Sequence, residues 1–341
     1  MLITCNVKYI RMNKLIVIYK ALIGIILLST NAIMADDSGW VVRNAEIMGT
    51  TIHTEVWHED NTLAQEVVDL VLHTMHEVNQ SMSPYIENSE LSIINNLAAS
   101  EVISISQSLY DVIARSLYYS DVTQGAFDIT FASVGYLYDY RNHKRPSKTV
   151  INEQLVGVNY HHIVLDESNN TIHFKQPQVR IDLGGIAKGY AVDVAIERAR
   201  TRGIDHILVT AGGDTRILGD RHGRPWVIGI RHPLNKKKVI AKIPLVNEAL
   251  STSGDYERYF DEDGVRYHHI IDPKTGDSAR KVHSVTILGN NAMDTDALST
   301  SVFVLGAKKG LELLESMPNI EGIIVDSDAN LLFSSGLQNV E

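Results

Sequence analysis

The sequence predicts an α+β protein with mixed or antiparallel sheets and flanking helices, as one large domain or two closely joined ones. Three observations carry that expectation. Apolar residues recur at helical spacing over residues 61–79 and 106–120, the mark of helices with one buried face. Alternating or β-branched runs bounded by turn residues crowd the second half, which reads as sheet-rich with mixed connections. At 341 residues with 44% hydrophobic content, the chain has enough apolar surface for a substantial core.

The first 35 residues read as a targeting segment and not as fold. Arg11, Lys14 and Lys20 precede the apolar run 21–28, and small or neutral residues follow to Ala35, a cleavage point before Asp36-Asp37. Met12 is an alternative start. An uncleaved anchor over residues 15–34 is the competing reading, although Lys20 interrupts it. Cys5 is the only cysteine, which excludes an internal disulfide and a cysteine metal cage. The net charge of −10, from 31 basic and 41 acidic residues without a block of like charge, argues against nonspecific nucleic-acid binding.

In chain order, residues 48–57 alternate as a strand. Residues 61–79 follow as an amphipathic helix, on which His73 and His76 read as a solvated face. Pro84 marks a loop before a helix capped by Asn88 or Ser89. Tyr85 in that loop reads as an aromatic tucked onto the core, with a stacking platform for a ring as the alternative. After the helix at 106–120, Gln124-Gly125-Ala126-Phe127-Asp128 forms a glycine turn backed by an acid. A polar loop spans 136–148, and residues 161–166 and 171–175 form a hairpin. Strands are expected at 206–210, 226–230, 238–243, 249–252 and 283–288, a last helix at 308–317, and closing strands near Ile323 and Leu331.

The stretch 179–193 organises the rest. It reads as a strand ending in Asp182, a Gly184-Gly185 turn, and a helix stopped by Gly203. Glycines at such a handover let a ligand approach the backbone, and the free N–H groups of the first turn favour an anion. Lys188 stands at the wrong end of the helix dipole for a cation. Either a bound phosphate accounts for it or it is simply solvated. A third glycine–acid turn, Gly212-Gly213-Asp214, repeats the pattern. His269 falls at a strand end entering an Asp-Pro-x-x-Gly turn. Asp296 and Thr300 stand four apart on one helix face, offering a carboxylate and a hydroxyl to a hard cation. Helix capping by Asp294 and Asp296 is the alternative. Together these features suggest a Mg²⁺-assisted site for a phosphorylated, ring-bearing ligand.

Eight ordered motifs then resemble the FAD:protein FMN transferase (ApbE) family: Met48-Gly49-Thr50, Met82 to Tyr85 with Ser89-Glu90-Leu91, Gly125 to Asp128, Asp182 to Asp193, Gly212 to Asp214, Thr252 to Tyr256, His269 to Pro273, and Asp296 to Thr300. The resemblance covers about residues 47–306. It implies two closely joined subdomains forming one catalytic unit over residues 36–341, which cleaves FAD, moves FMN to a threonine hydroxyl of a target protein and releases AMP, with Mg²⁺ required. By the same resemblance, Met48, Tyr85, Ala126, Phe127, Asp128, Asp182, Lys188 and Ile271 are flavin-nucleotide contacts. The Gly185 carbonyl, Asp296 and Thr300 are the metal ligands, and His269 is the general base. Its partners would be FAD and acceptor flavoproteins bearing an Asp-Gly-x-Ser/Thr-Gly-Ala/Thr-type motif, among them subunits of membrane redox pumps. Residence in the periplasm is implied, with an inner-membrane anchor as the alternative. Two departures stand out: Ser299 occupies a position where some members carry a second acid, and no cysteine follows the apolar run, as it does in lipoprotein members. A Mg²⁺-dependent FAD pyrophosphatase and a non-catalytic FAD-binding protein are the competing functions.

Overall fold

The computed structural model describes residues 39–338; the leader or anchor expected over residues 1–35 lies outside that range. Strands β1 (Trp40–Ile47) and β2 (Thr50–Trp57) form a hairpin. Only the second of these was legible in the sequence, and Met48-Gly49 proves to be the turn between them, not the start of a strand. Both turn residues have positive φ, 58° and 68°, the two-residue geometry that matches strand twist. Helix α1 (Asn61–Met82) is capped by Asp60, which accepts the N–H groups of Thr62 and Leu63, and it buries Val67, Val68, Val71, Met75 and Val78. Burial of such a side chain contributes roughly 1.5–3 kcal/mol. Ser89 caps α2 (Glu90–Leu97), and Ser106 caps α3 (Gln107–Val122) after the short β3 (Ile103–Ser104). Next come α4 (Ala132–Gly135), α5 (Lys148–Gln154), and the expected hairpin of β4 (Ile163–Asp166) and β5 (Thr171–Phe174).

Residues 179–182 do not form the expected strand. Side chains satisfy their backbone groups where a partner strand would: Asn95 pairs with both the N–H and the carbonyl of Ile181, at 2.7 and 2.9 Å, and Arg180 N–H donates to Ser133 Oγ. Helix α6 (Ala187–Thr201) follows, closed by Gly203 at φ 82°. Then come β6 (His206–Ala211), β7 (Asp214–Leu218), β8 (Trp226–His232), β9 (Asn235–Leu245), β10 (Ala249–Gly254), β11 (Tyr259–Glu262), β12 (Val265–His268), β13 (Ile271–Asp272), β14 (Asp277–Ser278) and β15 (Val282–Gly289). The C-terminal elements are α7 (Ala292–Leu305), α8 (Ala307–Glu315), β16 (Glu321–Asp326), β17 (Leu331–Phe333) and a short α9 (Ser335–Gln338). Helix α8 is therefore not the last, as the sequence suggested.

The main sheet has eight strands in the order β1-β2-β6-β7-β10-β15-β16-β17, antiparallel at every pairing, so no mixed pairing occurs in it. Helices α1, α6 and α7 pack on one face, and the β8–β9 hairpin covers the other through Trp226, Ile230 and Ile243 against Leu208, Leu250 and Leu288. The larger core draws on residues from Val41 to Ile324, so both halves of the chain share one interior. No helix among the described residues is long and apolar enough to cross a membrane.

Candidate active site

The N-terminus of α6 does hold an anion, and the protein itself supplies it. No side chain caps α6, yet Gly189 N–H donates to Asp296 Oδ2 at 3.1 Å. Lys188 Nζ lies 3.2 Å from that same oxygen and 2.8 Å from Asp214 Oδ2, and it donates to the Gly184 carbonyl at 3.0 Å. Two buried carboxylates hold the cation, partners that the local sequence did not offer for it. Burial alone would depress the Lys188 ammonium, but Asp214 and Asp296 outweigh it and keep the group charged. For Asp296, burial and then the neighbouring Asp214 charge push the carboxyl up to about 7.

Asp296 and Thr300 do share one face of α7. Asn291 caps that helix by accepting Asp294 N–H, while Asp294 makes a bidentate pair with Arg115 at 2.7 Å, so neither Asp294 nor Asp296 is the cap. Thr300 Oγ1 lies 3.3 Å from Ser253 Oγ, which also meets Ser299 Oγ at 2.8 Å. A Cβ added at Gly185 would sit 3.3 Å from both Thr300 Oγ1 and the Phe127 ring, so only glycine leaves the Thr300 hydroxyl unobstructed there. Carboxylate, hydroxyl and backbone oxygens are the donors a hard cation takes. Among the described residues no three His, Cys, Asp or Glu side chains converge on a metal position, so a cation here would rely on this mixed oxygen set. His73 and His76 are exposed on α1 as expected, with His73 paired to Glu77.

The two adjacent histidines behave differently. His268 is buried; its Nε2–H donates to the Ala279 carbonyl at 2.5 Å and its Nδ1 accepts Ile270 N–H. It is a satisfied structural residue, held neutral by burial that pushes it down to about 4. His269 Nδ1 is buried without a partner. Burial first, then His268, Arg258 and Lys188, depress its imidazole to about 3. Its backbone N–H donates to the Arg258 carbonyl, and the Arg258 guanidinium reaches the Gly49 carbonyl at 3.2 Å. The Met48 turn and His269 are thereby linked through one arginine.

The remaining candidates lie on several different elements. Asp182 Oδ1 accepts Gly184 N–H at 2.6 Å and shapes the turn before α6. Tyr85 is 86% exposed, so it is not tucked onto the core. Ala126 and Phe127 are buried in the main core, and Ile271 packs with Val134, Tyr138 and Ile151. Asp128 is buried and accepts from Thr130 N–H, Thr130 Oγ1 and Tyr160 N–H, which fixes its loop. Beside it a cleft of about 320 Å³ opens between Tyr160 and Pro273-Lys274. A second cavity, about 370 Å³, lies elsewhere against Glu55, Arg221 and Trp226 and shares no residue with this centre. Sequence reasoning passed over Ser253 and Arg258 as site residues. It noticed Asp214 only as part of a recurring turn, although the repetition of glycine–acid turns was the signal.

Fold and centre together define an antiparallel α+β protein whose lysine–dicarboxylate cluster sits at the start of a helix, under a loop bearing an unpartnered histidine nitrogen. The ApbE family model matches residues 48–324, and the chain belongs to the ApbE family. It is 34% identical over 280 residues to the FAD:protein FMN transferase of Vibrio cholerae, covering 79% of this chain and 82% of that protein. It is also 34% identical over 308 residues to the FAD:protein FMN transferase of Haemophilus influenzae, covering 86% and 88%. Among solved structures, the ApbE protein of Thermotoga maritima superposes with a TM-score of 0.81 at 35% identity, covering 87% of this chain and 97% of that one. The flavin transferase ApbE of Vibrio cholerae superposes with a TM-score of 0.78 at 30% identity, covering 89% and 99%.

Proposed function

We propose that the chain is an FAD:protein FMN transferase, moving FMN from FAD to a threonine hydroxyl of an acceptor flavoprotein and releasing AMP. The observation that carries the reading is the buried, unpartnered His269 Nδ1, which lies within the field of the lysine that bridges Asp214 and Asp296. In this reading the acceptor oxygen forms a bond to the FMN phosphorus, the bond from that phosphorus to the AMP oxygen breaks, and His269 Nδ1 takes the hydroxyl proton. Its depressed basicity keeps the imidazole neutral and able to accept. An anionic diphosphate nearby would offset Arg258 and Lys188 and raise that basicity. Met48, Tyr85, Ala126, Phe127, Asp128, Asp182, Lys188 and Ile271 contact the flavin nucleotide. Asp296, Thr300 and the Gly185 carbonyl would hold Mg²⁺, which supplies charge neutralisation at the diphosphate.

The test is incubation of the purified protein with FAD and Mg²⁺, with and without an acceptor domain carrying the threonine motif, followed by mass and in-gel fluorescence. The expected result is a covalent FMN adduct, absent in EDTA, with the rate reduced about 10²–10⁴-fold in His269→Ala. Free FMN and AMP without an adduct would turn the reading to a hydrolase, and retained, uncleaved FAD to a binding protein. We also propose export to the periplasm, on the pattern of Arg11, Lys14 and Lys20 before the apolar run 21–28. Fractionation that leaves the protein in the cytoplasm would overturn that.

A further inference from the structure

The charge balance at the centre leaves a requirement that Lys188 does not meet. Two carboxylates lie within 3.2 Å of its ammonium, so the cluster offers no net positive charge to an anionic ligand. Arg258, in the loop between β10 and β11, is placed differently. Its carbonyl accepts His269 N–H at 3.1 Å and its Nη2 donates to the Gly49 carbonyl at 3.2 Å, so backbone and side chain of this one residue link the histidine to the Met48 turn. Its charge acts on Asp182 and on His269 from one position. Arg216, Arg221 and Arg266 are each paired to a carboxylate, whereas the exposed Arg258 guanidinium forms no such pair among the described residues. One N–H is engaged by Gly49, and the rest of the planar fork suits a pair of phosphate oxygens.

We propose that Arg258 is the side chain that neutralises the diphosphate of the dinucleotide substrate, while Lys188 chiefly positions Asp214 and Asp296. The inference rests on the flavin-site reading above and adds to it a residue and a division of labour between the two cations.

Flavin fluorescence titration in EDTA separates the parts, because riboflavin has the ring without the phosphates. Arg258→Gln should weaken FAD binding about 10- to 100-fold, the loss expected for a charged hydrogen-bonding group. Riboflavin affinity should stay within about twofold, since the ring contacts are untouched. Arg258→Lys keeps the charge and loses the fork, so its ratio of FAD to riboflavin affinity should fall between the two; that ratio decides the matter if Arg258→Gln does not fold. Unchanged FAD affinity in Arg258→Gln, or an equal loss for both ligands, overturns the inference and leaves Arg258 as a brace for the Gly49 turn. A wild-type protein that binds no FAD overturns the flavin-site reading and this inference with it.

Discussion

The Lys188 ammonium lies 2.8 Å from Asp214 Oδ2 and so ties the first turn of α6 to the hairpin between β6 and β7. Asp214→Asn keeps the shape and removes the charge. Losing one charged hydrogen bond in a buried setting should lower stability by about 2 kcal/mol in urea unfolding. Because the Asp214 charge is one reason the Asp296 carboxyl is raised, its titration should also move down from about 7 in a carboxyl NMR experiment. An Asp296 titration that stays in place would show that the two carboxylates do not communicate.

Acid should destabilise the protein through its buried histidines. His268 takes a proton near 6.5 in the unfolded chain but only near 4 in the fold, so the unfolded state binds more protons as pH falls below 6.5. The contribution lost by pH 4 is on the order of 3 kcal/mol. Asp296 works in the opposite sense: its raised carboxyl contributes stability at low pH that is lost as pH rises through about 7. Between pH 7 and 4 these two terms are of similar size and opposite sign, so the readout is the difference between proteins: relative to its value at pH 7, the unfolding free energy of His268→Gln at pH 4 should exceed that of the wild type by about 3 kcal/mol. A profile as steep in the variant as in the wild type would assign the effect elsewhere.

Ser299 is buried against Ser253, one residue before Thr300. An added carboxylate there is an uncompensated charge until a cation arrives. Ser299→Asp should lose about 3 kcal/mol of stability in EDTA and regain most of it with Mg²⁺ by linkage. If Mg²⁺ raises the melting temperature of the variant no more than that of the wild type, the cation does not sit beside Asp296 and Thr300.

Met48 occupies a left-handed turn position at φ 58°, which disfavours any residue with a Cβ. Met48→Gly relieves that strain but also removes a side chain packed against the core, so the two effects should leave stability changed by no more than about 1 kcal/mol while FAD binding weakens. A larger loss of stability without change in binding would overturn both halves of this expectation.

What the sequence made legible follows local rules. Helix α1 announced itself by spacing, α3 likewise, and the end of α6 by Gly203. Asp296 and Thr300 could be placed together because a four-residue step along a helix is a geometric certainty. What stayed hidden depended on distant partners. The segment at 179–182 looks like a strand in composition, but Asn95 and Ser133 take the place of a neighbouring strand, and nothing local reveals that. Strand β1 carries Arg43, Asn44 and Glu46 among its apolar residues and is an edge strand, so its alternation is diluted. Lys188 signalled an unmet charge correctly, yet only the fold shows that residues 26 and 108 positions away meet it. Arg258 carried no signal at all, since an exposed arginine in a loop is ordinary in sequence.

One contact sets how closely α6 and α7 approach. At Gly189 the backbone of α6 rests directly on that of α7, and an added Cβ would fall inside the Ala292 carbonyl. The spacing between Lys188 and Asp296 is therefore set by main chain against main chain and not by the side chains around it. Any side chain at 189 would wedge the two helices apart at this point and lengthen the bridge between the ammonium and the carboxylate.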